Sequence, residues 1–255
     1  MMDFDLPDPK TRFTSRSKYF SKFRPSYPNE IINLLKKKRI LQETTTIADI
    51  GSGTGILSEL FLKENNLVYG IEPNSEMRQE SAKLLQIYPN FQPLNGSAEA
   101  TSLRSDSIDL ITVGQAFHWF DMKQAIFEFK RILKSKGTVL LVWNLRKTVG
   151  SSFNEIYEDI MLKYGSDYAY LKKPLLFENF FPNNHNEYYH FETQQLLDFQ
   201  GFIGRTLSSS YIPLEKDPQY APMYEELKNI FYNNQIQGKV VFEYNTEMII
   251  SYFDK

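Results

Sequence analysis

Thr46-Ile47-Ala48-Asp49-Ile50-Gly51-Ser52-Gly53-Thr54-Gly55 is an apolar run that breaks into three glycines at alternate positions. The first five residues read as a strand. The residues that follow carry Ile56, Leu57, Leu60 and Phe61 at helical spacing, so a helix opens directly after the glycines. Glycine tolerates positive φ and lets a ligand approach the backbone closely. Leu67-Val68-Tyr69-Gly70-Ile71 reads as a second strand, and Glu72 stands at its end, 21 residues after Gly51.

Outward from this unit the same rhythm repeats. A helix is predicted over about 75–87, a short strand near Phe91–Leu94, and a fourth strand over Ile108–Val113. The helix starting at Asp121 places Ala125, Ile126, Phe129, Ile132 and Leu133 on one face, and Thr138–Trp143 is a fifth, almost wholly apolar strand. Such a strand is covered on both faces. Strands alternating with helices predict a parallel sheet with right-handed crossovers, a doubly wound α/β fold. Upstream, Pro7, Pro9 and Pro25 interrupt residues 1–25, and Glu30–Leu41 reads as a helix ending in the basic run Lys36–Arg39. Cations suit a helix carboxyl terminus, so that run is read as a solvated helix end.

Beyond Trp143 the pattern changes. Residues 151–200 read as helical and irregular, with many aromatics including Tyr157, Tyr164, Tyr168, Tyr170, Phe177, Phe180, Phe181, Tyr188 and Tyr189. Lid over a ligand and core of an inserted layer are equally compatible with that density. Strand-like text returns at Arg205–Ile212 and Lys239–Phe253, around a helix carrying Met223, Leu227, Ile230 and Phe231.

Composition narrows the chemistry. The 255 residues contain no cysteine, which excludes disulfides, Cys-ligated zinc, iron–sulfur clusters and a thiol nucleophile. Three histidines, His118, His185 and His190, make a His-rich metal site an unpromising reading. A formal charge of −2 gives no general field for polyanions, so neither nucleic acid nor an anionic membrane is expected as a partner. Residues 1–5 lack a basic stretch leading into an apolar one, and the longest purely apolar run is Val139–Trp143, far short of the ~20 residues of a spanning helix. A cytoplasmic protein is expected.

In a doubly wound sheet, Gly51–Gly55 and Glu72 both fall at the crevice where strand order reverses. An acid there accepts both hydroxyls of a ribose, so the pair predicts an adenosine-containing ligand. The dinucleotide fingerprint spaces its glycines G-x-G-x-x-G, with pyrophosphate on the helix amino terminus. Here the spacing is G-x-G-x-G, and Asp49 precedes the first glycine by two residues. A carboxylate there repels pyrophosphate and suits an ammonium group, which favours S-adenosylmethionine (SAM) over NAD.

Ala48–Gly55 resembles motif I of class I SAM-dependent methyltransferases, and other segments resemble that family in the same order. Ile71-Glu72-Pro73-Asn74-Ser75-Glu76-Met77 is similar to its ribose-binding acid segment, and Gly96-Ser97-Ala98-Glu99 to its adenine-edge segment. Gln115-Ala116-Phe117-His118-Trp119-Phe120 resembles its AFHWF signature, Arg131–Gly137 its R-x-L-K-P-G-G turn, and Phe13, Phe20 and Arg24–Pro28 its entry segment. The resemblance covers about residues 13–146, more weakly 201–253, and is best with the type-11 or UbiE-like set that includes trans-aconitate-type enzymes. Two departures stand out: Phe20 replaces a common Tyr, and Ser135-Lys136 replaces Pro-Gly.

The resemblance implies a mostly parallel, seven-stranded Rossmann-like sheet with a helical insertion after strand five. It implies one domain: an amino-terminal lid over 1–45, a SAM-binding core over 46–146, a helical substrate cap over 147–200, and final strands and helix over 201–255. It places Asp49, Gly51, Ser52, Gly53, Thr54 and Gly55 at the methionine moiety, with Asp49 near its ammonium. Glu72 and Pro73 stand at the ribose, Met77 on the adenine, Ser97, Ala98 and Glu99 at the adenine edge, and Gln115 and Ala116 beside the cofactor from strand four. His118 is the candidate base, with a cofactor-shelf role beside Trp119 as the competing reading. Phe20, Arg24, Tyr27, Trp119, Trp143 and Arg146 are assigned to the substrate side, Arg146 as an anchor for an acidic acceptor. The expected reaction is metal-independent transfer of a methyl group to a small molecule. The alternatives are a SAM-binding protein without transfer and a nicotinamide-dependent oxidoreductase, which the glycine spacing disfavours.

Overall fold

A computed structural model gives the fold and describes residues 17–171 and 181–253. Phe13, Phe177 and Phe180 lie outside the described residues, as does everything before Ser17. Seven strands form one sheet: β1 (Thr46–Ile50), β2 (Leu67–Ile71), β3 (Phe91–Leu94), β4 (Ile108–Gly114), β5 (Leu133–Arg146), β6 (His185–Leu197) and β7 (Val240–Tyr252). Their order is β3-β2-β1-β4-β5-β7-β6. The first five pair in parallel, and β7 runs antiparallel between β5 and β6. The order turns back between β1 and β4, so the carboxyl ends of those strands flank the crevice.

Nine α-helices accompany the sheet among the described residues: α1 (Ser17–Phe23), α2 (Glu30–Lys37), α3 (Ile56–Leu62), α4 (Ser75–Leu84), α5 (Met122–Ile132), α6 (Ser152–Tyr164), α7 (Tyr168–Leu171), α8 (Phe199–Leu207) and α9 (Tyr220–Asn234). Local chemistry fixes several starts. Asn74 caps α4 by accepting from the Met77 N–H, and Asp121 caps α5 by accepting from Gln124. The basic run ends α2 earlier than its periodicity predicts, because Arg39 takes a positive φ of 60°. Two of its three lysines are tied to acids, Lys36 to Glu64 and Lys38 to Glu187.

Alternation along β5 divides the core between two faces. Val139, Leu141 and Trp143 pack with Ala125, Phe129 and Ile132 of α5. Leu140 and Val142 pack on the other face with Ile31 and Leu35 of α2 and Leu57 and Phe61 of α3. A third apolar layer joins α6, α8 and α9 to the start of β7, around Tyr157, Phe202, Leu227 and Phe242.

The carboxyl-terminal third differs from the sequence reading in two places. Residues 185–197, expected within a helical cap, form the edge strand β6, paired with β7 along its whole length. Residues 205–212, expected as a strand, instead hold the end of α8. Asp198 accepts from the Gly201 N–H and starts that helix, a cap the apolar text around it obscures. Helices α6 and α7 do occupy the insertion after β5. Of the aromatics there, Tyr157, Tyr164 and Tyr168 belong to the third core layer and Phe181 to the α5 side. His185 and His190 stand exposed on β6.

Candidate active site

The glycine turn sits where β1 stops. Gly51 and Ser52 N–H groups donate to the Ile71 carbonyl at 2.8 and 3.2 Å, which pins the loop to the end of β2. Gly51 has φ +69°, and a Cβ there lies 2.6 Å from the Ala116 Cβ on the loop after β4. The backbone is therefore bare at the crevice because nothing larger fits. Gly51→Ala is expected to cost about 1–2 kcal/mol of stability through left-handed strain and the Ala116 contact; urea denaturation measures it.

Glu72 follows β2 and is buried. Its Oε2 accepts from the Gly53 N–H at 2.9 Å and its Oε1 from the Asn74 N–H at 2.8 Å. Burial pushes its carboxyl pKa up, while those two N–H groups pull it back. The group is thus held in one orientation, with lone pairs left for two further hydroxyls.

A cavity of about 290 Å³ opens over this corner. It is lined by Gly51, Gly53, Glu72, Pro73, Met77, Ser97, Ala98, Glu99, Gln115 and Ala116, which are ten of the fourteen residues expected at the cofactor. The wall continues through His118, Trp119 and Phe120 to Ser210, Tyr211 and Arg24. Phe117–Trp119 form a 3₁₀ turn that exposes His118 and sets its ring 4.6 Å from that of Trp119. Gln115 holds a positive φ of 59° and donates to the Asn144 carbonyl at 3.0 Å, tying the β4 loop to β5.

A smaller adjoining cavity of about 60 Å³ is shared by Asp49, Ser52, Tyr27, Asn144, Arg24 and Arg205, above Gly51 and Gly53. Asp49 is fully buried and accepts from Ser58 Oγ at 2.6 Å and Thr112 Oγ1 at 3.0 Å. Burial nevertheless pushes its pKa up to about 6, with the two hydroxyls opposing the shift. An acid that holds its proton more tightly in the native state makes folding less favourable as pH rises from about 4 to 6. Asp49→Asn is expected to remove that slope and raise the thermal midpoint of the ligand-free protein at pH 7.5, with little change at pH 4; calorimetry at both values checks it.

The remaining expected residues separate. Thr54 and Gly55 line neither cavity; Gly55 has φ +86° and a Cβ there meets Leu85 at 2.5 Å, so it lets α3 seat against the end of α4. Trp143, expected on the substrate side, faces the α5 core and lines neither cavity. Arg146, expected as an acid anchor, is spent within the protein. It pairs with Glu158, donates to Tyr168 Oη at 2.7 Å and lies 4.5 Å over the Tyr157 ring. Phe20 belongs to α1, and its side chain lies outside what is described. Arg205, Ser210 and Tyr211 are site residues the sequence reading missed. They fall within the 205–212 stretch that reads as a strand, and no motif marks them.

The residues fit SAM: a bare glycine backbone, an oriented buried acid, and Met77 on the wall of a cavity of suitable size. Sheet order, glycine loop and acid together define a Rossmann-like domain whose crevice suits SAM. Residues 48–141 match the family model described as a methyltransferase domain.

Among similar proteins, the uncharacterized methyltransferase C25B8.09 of Schizosaccharomyces pombe is 35% identical over 48% of each chain. The uncharacterized methyltransferase Rv3342 of Mycobacterium tuberculosis is 34% identical over 54% of each. The chain thus spans about half the length of the curated relatives it matches. The crystal structure of YcgJ from Bacillus subtilis superposes with a TM-score of 0.56 at 20% identity, covering 89% of this chain and all of that one. A Haemonchus contortus phosphoethanolamine N-methyltransferase, solved with phosphomonomethylethanolamine and S-adenosylhomocysteine, gives 0.52 at 15% identity, over 97% of this chain and 58% of that one. Among the described residues, no helix is long and apolar enough to cross a membrane, and no three His, Asp or Glu side chains gather as metal ligands.

Proposed function

We propose that this protein transfers a methyl group from SAM to a small-molecule acceptor by in-line displacement, without a metal. The observation that carries the reading is the continuity of the larger cavity. It runs from the Glu72–Gly53 corner past Gln115 and Ala116 to His118, Trp119, Ser210 and Tyr211, leaving wall beyond the adenosine residues for an acceptor. When bound, SAM supplies a methyl group already activated by its sulfonium charge.

The chain's own contribution is placement. Glu72 holds the ribose hydroxyls, Met77 covers the adenine, and Ser97, Ala98 and Glu99 border its edge. Glu99 is positioned for this by accepting from the Asp121 N–H at 2.9 Å, which also ties the adenine edge to the start of α5. Fixing two reactants in line supplies roughly 7–11 kcal/mol of barrier reduction. His118, on the wall, takes the acceptor proton where the nucleophile is a hydroxyl; a carboxylate needs no base. A cytoplasmic site of action and the absence of a nucleic-acid partner complete the proposal, supported by the balanced charge and cysteine-free composition.

Calorimetry with S-adenosylhomocysteine (SAH), SAM and NADH tests the cofactor, and transfer of labelled methyl to a metabolite panel with chelator present tests the reaction. SAH binding and chelator-resistant labelling are expected. Binding of NADH alone would sink the reading, and labelling abolished by chelator would remove its metal-free part.

A further inference from the structure

Strand β6 ends the sheet with a long, unprotected edge. It runs thirteen residues, His185–Leu197, and no other strand among the described residues pairs on its far side. Soluble proteins blunt such an edge with a short strand, a bulge, Pro or Lys, because a row of unpaired N–H and C=O groups templates a further strand. β6 has none of these. Its sequence, His-Asn-Glu-Tyr-Tyr-His-Phe-Glu-Thr-Gln-Gln-Leu-Leu, contains neither Pro nor Lys, and its register with β7 is unbroken from His185↔Tyr252 to Leu197↔Val240.

The remaining deterrent to pairing is charge, and the strand carries two acids. Glu187 is tied to Lys38. Glu192 accepts from Lys147 Nζ at 2.9 Å and stays largely exposed. Two residues before it, on the same face, His190 is exposed and stands opposite Glu247 of β7. Where a second copy meets this edge antiparallel about a two-fold axis, each face continues across the seam and residues placed symmetrically about the axis lie opposite one another. An axis at Phe191 sets His190 opposite the second copy's Glu192, and symmetry forms that pair twice. The same axis sets Glu187 opposite Gln195, Tyr188 opposite Gln194, Tyr189 opposite Thr193, and Phe191 opposite itself. Moving the axis to Glu192 brings the two Glu192 carboxylates face to face, and moving it to His190 brings the two imidazoles together. Cross-strand complementarity therefore selects the Phe191 register, in which no acid meets an acid.

We infer that β6 is a homodimer interface: two copies join edge to edge through antiparallel β6 strands centred on Phe191, making one continuous sheet from two seven-stranded halves. The interface is independent of the SAM reading, since no β6 residue lines either cavity of the candidate site.

Sedimentation velocity of the full chain, from low to high micromolar concentration, tests the interface. Wild type is expected to form a reversible dimer. His190→Glu places like charges opposite each other at two symmetric points and is expected to raise the dimer dissociation constant about tenfold or more. The double variant His190→Glu/Glu192→His exchanges the two groups and is expected to restore dimerisation. Both positions are exposed, and circular dichroism verifies that each variant keeps the fold. A wild type that stays monomeric throughout overturns the inference and leaves the edge to a strand from a different protein. A dimer that His190→Glu leaves intact joins through another surface and overturns it as well. Loss in the single variant without recovery in the double overturns the Phe191 register. Hydrogen exchange on wild type reads the interface without substitution. The β6 amides are expected to gain protection as concentration rises while those of β3, at the opposite edge, do not; equal protection of β6 at all concentrations overturns the pairing.

Discussion

Trp143→Ala is expected to lower stability by about 3–5 kcal/mol, the range for removing a buried tryptophan side chain. Trp143 is 1% exposed and sits on the β5 face that packs against Phe129 and Ile132. The strand around it is central, paired with β4 on one side and β7 on the other, so the sheet cannot collapse into the vacated volume without shifting both neighbours. Affinity of the folded protein for SAH is expected to stay within about twofold, because Trp143 borders neither cavity. Urea unfolding and calorimetry separate the two effects. Intact stability with lost acceptor turnover would return Trp143 to the substrate side.

Glu72→Ala is expected to weaken SAH binding by about 1.5–3 kcal/mol, the scale of charge-assisted hydrogen bonds to a buried carboxylate. Two effects act together. The ribose loses its acceptor, and the Gly53 N–H loses the partner that holds the glycine loop against β2. Glu72→Gln keeps one carbonyl acceptor and the side-chain shape, so its loss is expected to be smaller; the gap between the two variants measures the charge. In the ligand-free state the alanine variant sheds a buried carboxyl whose ionised form is disfavoured by burial, which offsets part of the lost hydrogen bonding. Calorimetric affinity unchanged in a folded Glu72→Ala protein would remove the residue from the site.

The sequence is most legible where a backbone constraint and a side-chain requirement coincide. Gly51 must lack a Cβ because one would lie 2.6 Å from the Ala116 Cβ, and Glu72 must end β2 to meet the Gly53 N–H, so spacing and chemistry mark the same corner. Strands buried on both faces, such as Thr46–Ile50 and Val139–Trp143, announce themselves as apolar runs. Strand β6 does not. It is an edge strand whose outward positions are exposed and whose text mixes His, Glu, Gln and Tyr, so its period of two is hidden by polar residues on both faces. Arg146 and Arg205 show the limit for single side chains. One arginine is neutralised by Glu158, twelve residues further along the chain, and the other faces a cavity, a difference set entirely by tertiary contacts. For α8 the local signal is Asp198, whose carboxylate caps the helix by accepting from the Gly201 N–H.

With the cofactor ammonium beside Asp49, as the proposed reading has it, cofactor capture is expected to be a proton-coupled event. With a pKa near 6, part of the ligand-free population carries a proton on this side chain in mildly acidic solution. A cationic ammonium brought beside it favours the ionised form, so binding expels that proton. Affinity is therefore expected to climb as pH rises through 6 and to level off above 7. The heat of binding at pH 6 is expected to change with the ionisation enthalpy of the buffer, a dependence that Asp49→Asn abolishes.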